Sequence, residues 1–223
     1  MNRPLHRSNP NLLPGFADPV GGAQQVFRAL LQVFSEPGTL RTVPGAPPPP
    51  TGLSPAANAI ALALLDAETP VWLDPQSMEA AQHLRFHCGC PLVAQPESAQ
   101  FAMLSSLHGF AELCARLHAG SDEAPETGAT LLLEVPRLVV KPALGDPFTA
   151  RFPEEFPGPC LTGPGIRDWI RLDVGPDAHA LWEWVSSSRQ RFPQGIDLIL
   201  CCGPQMTALP RSLRIRETDC AYT

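Results

Sequence analysis

The sequence predicts an α/β domain with a mixed central sheet flanked by helices. Three observations carry that prediction. Two apolar runs, Ala129 to Val135 and Ile196 to Cys202, lack the alternation of a strand with one wet face, so both read as strands buried on two sides. Amphipathic helical stretches stand between shorter strand signals along the chain. Gly203-Pro204 then reads as a tight turn that returns Met206 to Pro210 as an antiparallel partner of the second run, which makes the sheet mixed.

Residues 1–13 are polar and proline-bearing and read as a flexible N-terminal arm, with residues 14–223 as a single α/β domain. A first helix is expected from about Gly22 to Phe34, with Val26, Phe27, Leu30, Leu31, Val33 and Phe34 on its apolar face. Pro37-Gly38 stops it. Thr39 to Gly52 contains Pro47 to Pro50 and reads as an exposed loop, with polyproline II as an option. Ser54 can cap a second helix and Pro55 suits its first turn. That helix is apolar nearly all round and is expected to be buried.

Val71 to Leu73 reads as a short strand, Gln76 to Phe86 as a third helix, and Leu92 to Ala94 and Phe101 to Met103 as strands. A fourth helix is expected over Ser106 to Ala119. Leu138 to Val140 is the candidate hairpin partner of the Ala129 run. Cys160 to Gly163 ends another strand, Asp168 to Asp173 holds one more, and Asp177 to Arg189 is a helix.

Charge and composition exclude several function classes. The net charge is −6, which argues against a nucleic-acid or anionic-membrane binder. The longest apolar segment, Ala56 to Leu65, is too short to cross a bilayer, and no secretory signal is visible. Seven cysteines, an odd number, in a chain of 223 residues fit reduced thiols and a cytoplasmic location. Lys141 is the sole lysine, so a Schiff-base enzyme has one candidate residue. Its place at a hairpin end reads as an ordinary surface position.

His83, His87, Cys88 and Cys90 form the best metal candidate, since two histidines four apart share a helix face. The short cysteine spacing and Pro91 argue instead for buried thiols, and no metal is expected. Gly163-Pro164-Gly165 follows a strand and could offer backbone donors to an anion, with Arg167 nearby, or could be a plain tight turn. It lacks the Lys-Ser/Thr ending of a Walker loop. Arg85, Glu126 and Arg211 could share a ligand pocket, because arginine suits phosphate or phosphonate oxygens. The competing reading is a structural ion-pair network in which Arg85 or Arg211 pairs with Glu126. Asp197 reads as a strand-start residue tied to the backbone. Trp182 and Trp184 lie two apart on a helix and are expected not to face one core, so one of them is a candidate for an interface. No nucleophile elbow and no complete catalytic set is visible, and no catalytic residue is assigned.

Several stretches together resemble one family. They are Pro14-Gly15-Phe16 with Asp18-Pro19-Val20 and Gln24 to Leu31; Ser35 to Gly38; Leu65-Asp66 with Thr69 to Leu73; Leu84 to His87; Pro125-Glu126 with Gly128 to Leu131; Leu161 to Ile166; Phe192-Pro193 with Gly195 to Leu200; and Leu209-Pro210-Arg211. In order and spacing they resemble the H subunits of bacterial carbon–phosphorus lyase, the PhnH family, from about Pro14 to Arg214. The resemblance implies a fold like the large domain of pyridoxal-phosphate-dependent transferases, but with no cofactor. It implies a homodimer that also joins the G, I and J subunits in a complex that couples a phosphonate to the ribose of ATP, with no catalytic step assigned to the H subunit itself. Fold likeness to an enzyme class does not confer its activity. The rival reading is a small-molecule enzyme or binding protein for a phosphorylated metabolite, using Arg85, Glu126, Gly163, Gly165 and Arg211. An enzyme should gather those side chains around one concave pocket, whereas a structural subunit should pair or scatter them.

Overall fold

The computed structural model describes residues 12–142 and 158–216. They form five α-helices and ten strands. In chain order they are α1 (Pro19–Ser35), β1 (Arg41–Thr42), α2 (Pro55–Leu64), β2 (Val71–Leu73), α3 (Ala81–Cys88), β3 (Phe101–Leu104), α4 (Phe110–Arg116), β4 (Thr130–Glu134), β5 (Val139–Pro142), β6 (Cys160–Thr162), β7 (Ile170–Asp173), α5 (His179–Ser188), β8 (Asp197–Cys202), β9 (Gln205–Leu209) and β10 (Arg214–Ile215).

Six strands form a mixed sheet in the order β1-β9-β8-β4-β3-β2. The four strands from β8 to β2 run parallel, while at one side β9 pairs antiparallel with β8 and β1 antiparallel with β9. The two apolar runs become the central strands β4 and β8, paired over five residues from Thr130↔Asp197 to Glu134↔Cys201. Their side chains alternate between two cores, as a pleat demands. Leu131, Leu133, Leu198 and Leu200 enter the core shared with α4, α5 and a second sheet. Leu132, Ile199 and Cys201 enter the core under α1, α2 and α3.

The helix starts follow local chemistry. Asp18 caps α1 by accepting from the Gly21 N–H at 3.0 Å, and Pro19 opens the first turn, so the helix begins three residues before the expected Gly22. Ser54 and Pro55 do the same for α2, which is buried from Ala56 to Ala61. The third predicted helix splits into a short 3-10 turn at Met78–Ala80 followed by α3, and α4 is shorter than expected.

Three expectations are corrected. Leu138 to Val140 is not the hairpin partner of β4. Both edges of β4 are occupied by β3 and β8, so β5 leaves the central sheet and pairs antiparallel with β7. It belongs to a separate four-stranded sheet, β10-β6-β7-β5, which the sequence reading did not separate from the first. Leu92 to Ala94 forms only an isolated bridge, Val71↔Leu92, before the chain turns at Pro96. The Thr39–Gly52 loop is not simply exposed, because Pro47 and Pro50 are buried and Asn58 donates to the carbonyls of Pro47 and Pro48. Of the expected arm, residues 1–11 lie outside the described residues, and the Leu13 carbonyl meets His87 Nε2 at 3.0 Å. No described helix is long and apolar enough to cross a membrane.

Candidate functional site

In open α/β sheets ligands enter the crevice beyond the carboxyl ends of the parallel strands. Here that position holds a cavity of about 1050 Å³. Its walls come from the loop after β3 (Ser105 to Gly109), the start of α4, the end of β4 (Glu134 to Pro136) and the approach to α5 (Pro176 to Ala180).

Ser105, in that lining, is held by a polar network behind it. Asp74, just past β2, is buried. Its Oδ1 accepts from the Ser77 N–H at 2.8 Å, and its Oδ2 accepts from the Ser105 N–H at 3.0 Å and the Ser105 hydroxyl at 2.5 Å. The Gln76 side-chain amide lies 2.9 Å from the same hydroxyl. The Gln76 atom facing the hydroxyl is Oε1, an acceptor, so the single hydroxyl hydrogen serves one of two oxygens, of which Asp74 Oδ2 is the nearer. Glu134, at the end of β4, accepts from the Ser54 N–H at 2.7 Å, which ties the central strand to the start of α2. Burial pushes the Glu134 carboxyl above its usual range, and the bond from Ser54 opposes that shift. Asp177, on the rim, holds a left-handed backbone at φ 62°, a strained choice for a residue other than glycine.

The residues singled out from sequence do not gather in this crevice. Arg85 is exposed on α3 and has no ion pair among the described residues. Glu126 is exposed in the turn before β4. Arg211 lies after β9, at the opposite, amino end of the parallel strands. Its Nη2 and Nε donate to Asp197 Oδ2 at 2.6 and 3.1 Å, its backbone N–H donates to Asp197 Oδ1 at 2.7 Å, and its Nη1 donates to the Pro125 carbonyl. Arg211 and the Glu126 loop therefore meet through main chain, and the expected pairing with Glu126 is replaced by one with Asp197. Asp197 is tied to backbone, as its place at a strand start suggested.

Gly163 and Gly165 adopt φ 144° and 83°. A Cβ on Gly165 would strike the Ser35 carbonyl, so the turn packs closely against the end of α1. Gly165 and Arg167 line a second cavity of about 560 Å³, together with Asp168 and Trp169 and apart from the crevice. Lys141 lies on β5 opposite Arg171, also away from the crevice.

The His/Cys cluster is engaged piecewise. His83 Nε2 meets Asn58 Oδ1 at 3.0 Å, His87 reaches Leu13, and Cys88 Sγ donates to the Ala61 carbonyl at 3.7 Å. Burial raises the thiols of both Cys88, to about 12, and Cys90. No group of three or more His, Cys, Asp or Glu is placed to hold a metal among the described residues. Trp182 is buried at 5%, and Trp184 is partly buried against the same core, edge-on to Phe110. Both tryptophans thus touch one core, and Trp184 keeps part of its surface exposed. Sequence reasoning also missed Arg189, which is buried, donates to the Ile196 and Leu209 carbonyls at 3.0 Å each, and lies 5.5 Å from the Trp184 ring. Burial lowers its pKa to about 10.

The sequence model of the PhnH family, described as a bacterial phosphonate metabolism protein, matches residues 14–216. The chain belongs to the PhnH family. The family's subunit in Rhizobium meliloti (strain 1021), named alpha-D-ribose 1-methylphosphonate 5-triphosphate synthase subunit PhnH, is 33% identical over 207 residues, covering 91% of this chain and 94% of its own. HtxG of Stutzerimonas stutzeri, whose description as a C-P lyase subunit protein is itself provisional, is 33% identical over 192 residues, covering 86% of this chain and 85% of its own. The family match begins after the expected arm and ends at Arg216, just past β10, so it contains both the crevice and the Asp197–Arg211 pair.

Proposed function

We propose that the chain works as the H subunit of a carbon–phosphorus lyase assembly, in which phosphonate is coupled to a ribosyl triphosphate. The observation that carries this reading is the near full-length match to a relative whose name places it in that synthase. Its partners are the G, I and J subunits and a second copy of itself, in the cytoplasm, and the reacting groups are supplied by the other subunits. The fold belongs with the large domain of pyridoxal-phosphate-dependent transferases, without their cofactor.

Two features support a subunit over a free-standing enzyme. Arg85, Glu126, Gly163, Gly165 and Arg211, on which the rival enzyme reading depends, are spread over several surfaces, and Arg211 is committed to Asp197 and Pro125. Helix α1 also carries an exposed apolar stripe, Val20 at 69%, Phe27 at 45% and Leu31 at 53%, on 17 residues that include no carboxylate. Grouped apolar exposure of this kind marks contact surfaces.

Growth of the source bacterium with methylphosphonate as its sole phosphorus source tests the reading. Deletion of the gene should abolish growth and a plasmid copy should restore it, with growth on inorganic phosphate unchanged. Undiminished growth of the deletion strain on methylphosphonate would refute the assignment.

A further inference from the structure

The crevice has a charge character that sets what it can hold. Its lining includes Glu112, Glu134 and Asp177, with His108, and among the described residues neither lysine nor arginine. A triphosphate or phosphonate placed there would meet carboxylates with no cation to offset them. The crevice is therefore rich in acceptors and calls for a ligand rich in donors.

Strand register places the two central groups side by side. Leu104 of β3 pairs with Leu133 of β4, so Ser105 and Glu134, each one residue further on, project from neighbouring strand ends roughly 4.8 Å apart. Asp74 holds the Ser105 backbone and hydroxyl in place. Ser54 engages Glu134 through both its backbone N–H and its hydroxyl, which leaves about two of a carboxylate's four acceptor positions. The described residues give Glu134 no other partner. Leu107, Val135, Pro136 and Pro176 supply apolar wall on which a flat, weakly polar body can rest. A bound metal ion fits poorly, because no three ligating groups converge among the described residues.

Resting on the subunit reading above, we propose that this crevice binds the uncharged ribosyl and base portion of a nucleoside or nucleotide, with the vicinal hydroxyls donating to Glu134 beside Ser105 and the phosphates left outside. A carboxylate at the end of a parallel strand is well suited to a ribose diol, since both hydroxyls can donate to it. Such a subunit would present the sugar of a substrate while cationic groups elsewhere in the assembly take the phosphates.

Isothermal titration of the full-length chain with adenosine tests this. Saturable binding is expected, weakened by at least about tenfold with 2′,3′-dideoxyadenosine, because a charge-assisted hydrogen bond is lost. Glu134→Gln, which can still accept from Ser54, should weaken adenosine to a similar degree. Ala180→Phe, which fills the crevice without touching the Asp74 or Glu134 bonds, should abolish binding with the fold intact by circular dichroism. Inorganic tripolyphosphate and a diamine should not compete. No adenosine binding, equal affinity for the dideoxy compound, competition by tripolyphosphate or by the diamine, or unchanged affinity in both variants would each overturn the proposal. Growth on methylphosphonate separates the two readings. A chain that supports growth but binds no adenosine loses the ligand assignment alone, and one that binds adenosine but is dispensable for growth loses the subunit assignment.

Discussion

At the residue scale, His83 shows how burial turns a titratable side chain into a structural one. Its Nε2 must carry the proton, because Asn58 Oδ1 can only accept, and its buried Nδ1 has no partner among the described residues. Protonation would place a charge and an unpaired N–H in the core beside His87. Burial first, and the neighbouring His87 second, lower its pKa to about 4 from an ordinary 6.5. The folded protein thus binds fewer protons than the unfolded chain between those values, so stability is full above pH 6.5 and falls as pH drops toward 4. Melting temperature measured from pH 7.5 to 4 should decline across that window, and His83→Gln should flatten the decline; equal slopes in the two proteins would contradict the account. Asp197 and Arg211 make the opposite kind of contribution. Asp197→Ala strands the guanidinium and removes a backbone acceptor, so it should cost about 2–3 kcal/mol in urea unfolding. Arg85→Ala and Glu126→Ala, at exposed positions, should each stay within about 0.5 kcal/mol of the parent.

At the scale of elements, much was legible where local chemistry decides. Ser54-Pro55 announced α2, and the continuous apolar runs announced β4 and β8, because a strand covered on both faces has no reason to alternate. Asp18-Pro19 carried the same start signal for α1 and was read too late, since the apolar period becomes clear only at Val26. Partner choice was not legible. Leu138 to Val140 looks as fit for β4 as for β7, and only the prior occupation of both edges of β4 excludes it. The crevice escaped notice for a related reason: Asp74, Ser105 and Glu134 lie far apart in sequence and meet only through parallel register. The stripe on α1 was half visible. The expected apolar face grouped Phe27 and Leu31 with Val26 and Leu30, yet the structure buries Val26 and Leu30 and leaves the other two exposed. Phe27→Glu with Leu31→Glu should keep the melting temperature while removing recovery of partners in a tagged pull-down. Gly165→Ala, in contrast, should destabilise the chain by more than about 1 kcal/mol in urea unfolding, because a methyl group there meets the Ser35 carbonyl at a backbone angle suited to glycine.

At the scale of the whole molecule, one sheet separates two tasks. Its amino end is closed by Asp197, Arg211 and the Pro125 carbonyl, a knot whose groups are used up in holding β8, β9 and the turn before β4 together. Its carboxyl end is open and acidic, with Ser105 and Glu134 fixed from below. A chain with an apolar helix stripe outside and an acceptor-lined crevice suits a component that holds part of a substrate within a larger assembly. The most direct measurement is purification of the tagged protein from phosphate-starved cells of its source, followed by the mass of the intact complex and the identity of its chains. The account predicts recovery with the other carbon–phosphorus lyase subunits at fixed stoichiometry. Recovery of this chain by itself, from cells in which those subunits are demonstrably expressed, would contradict it.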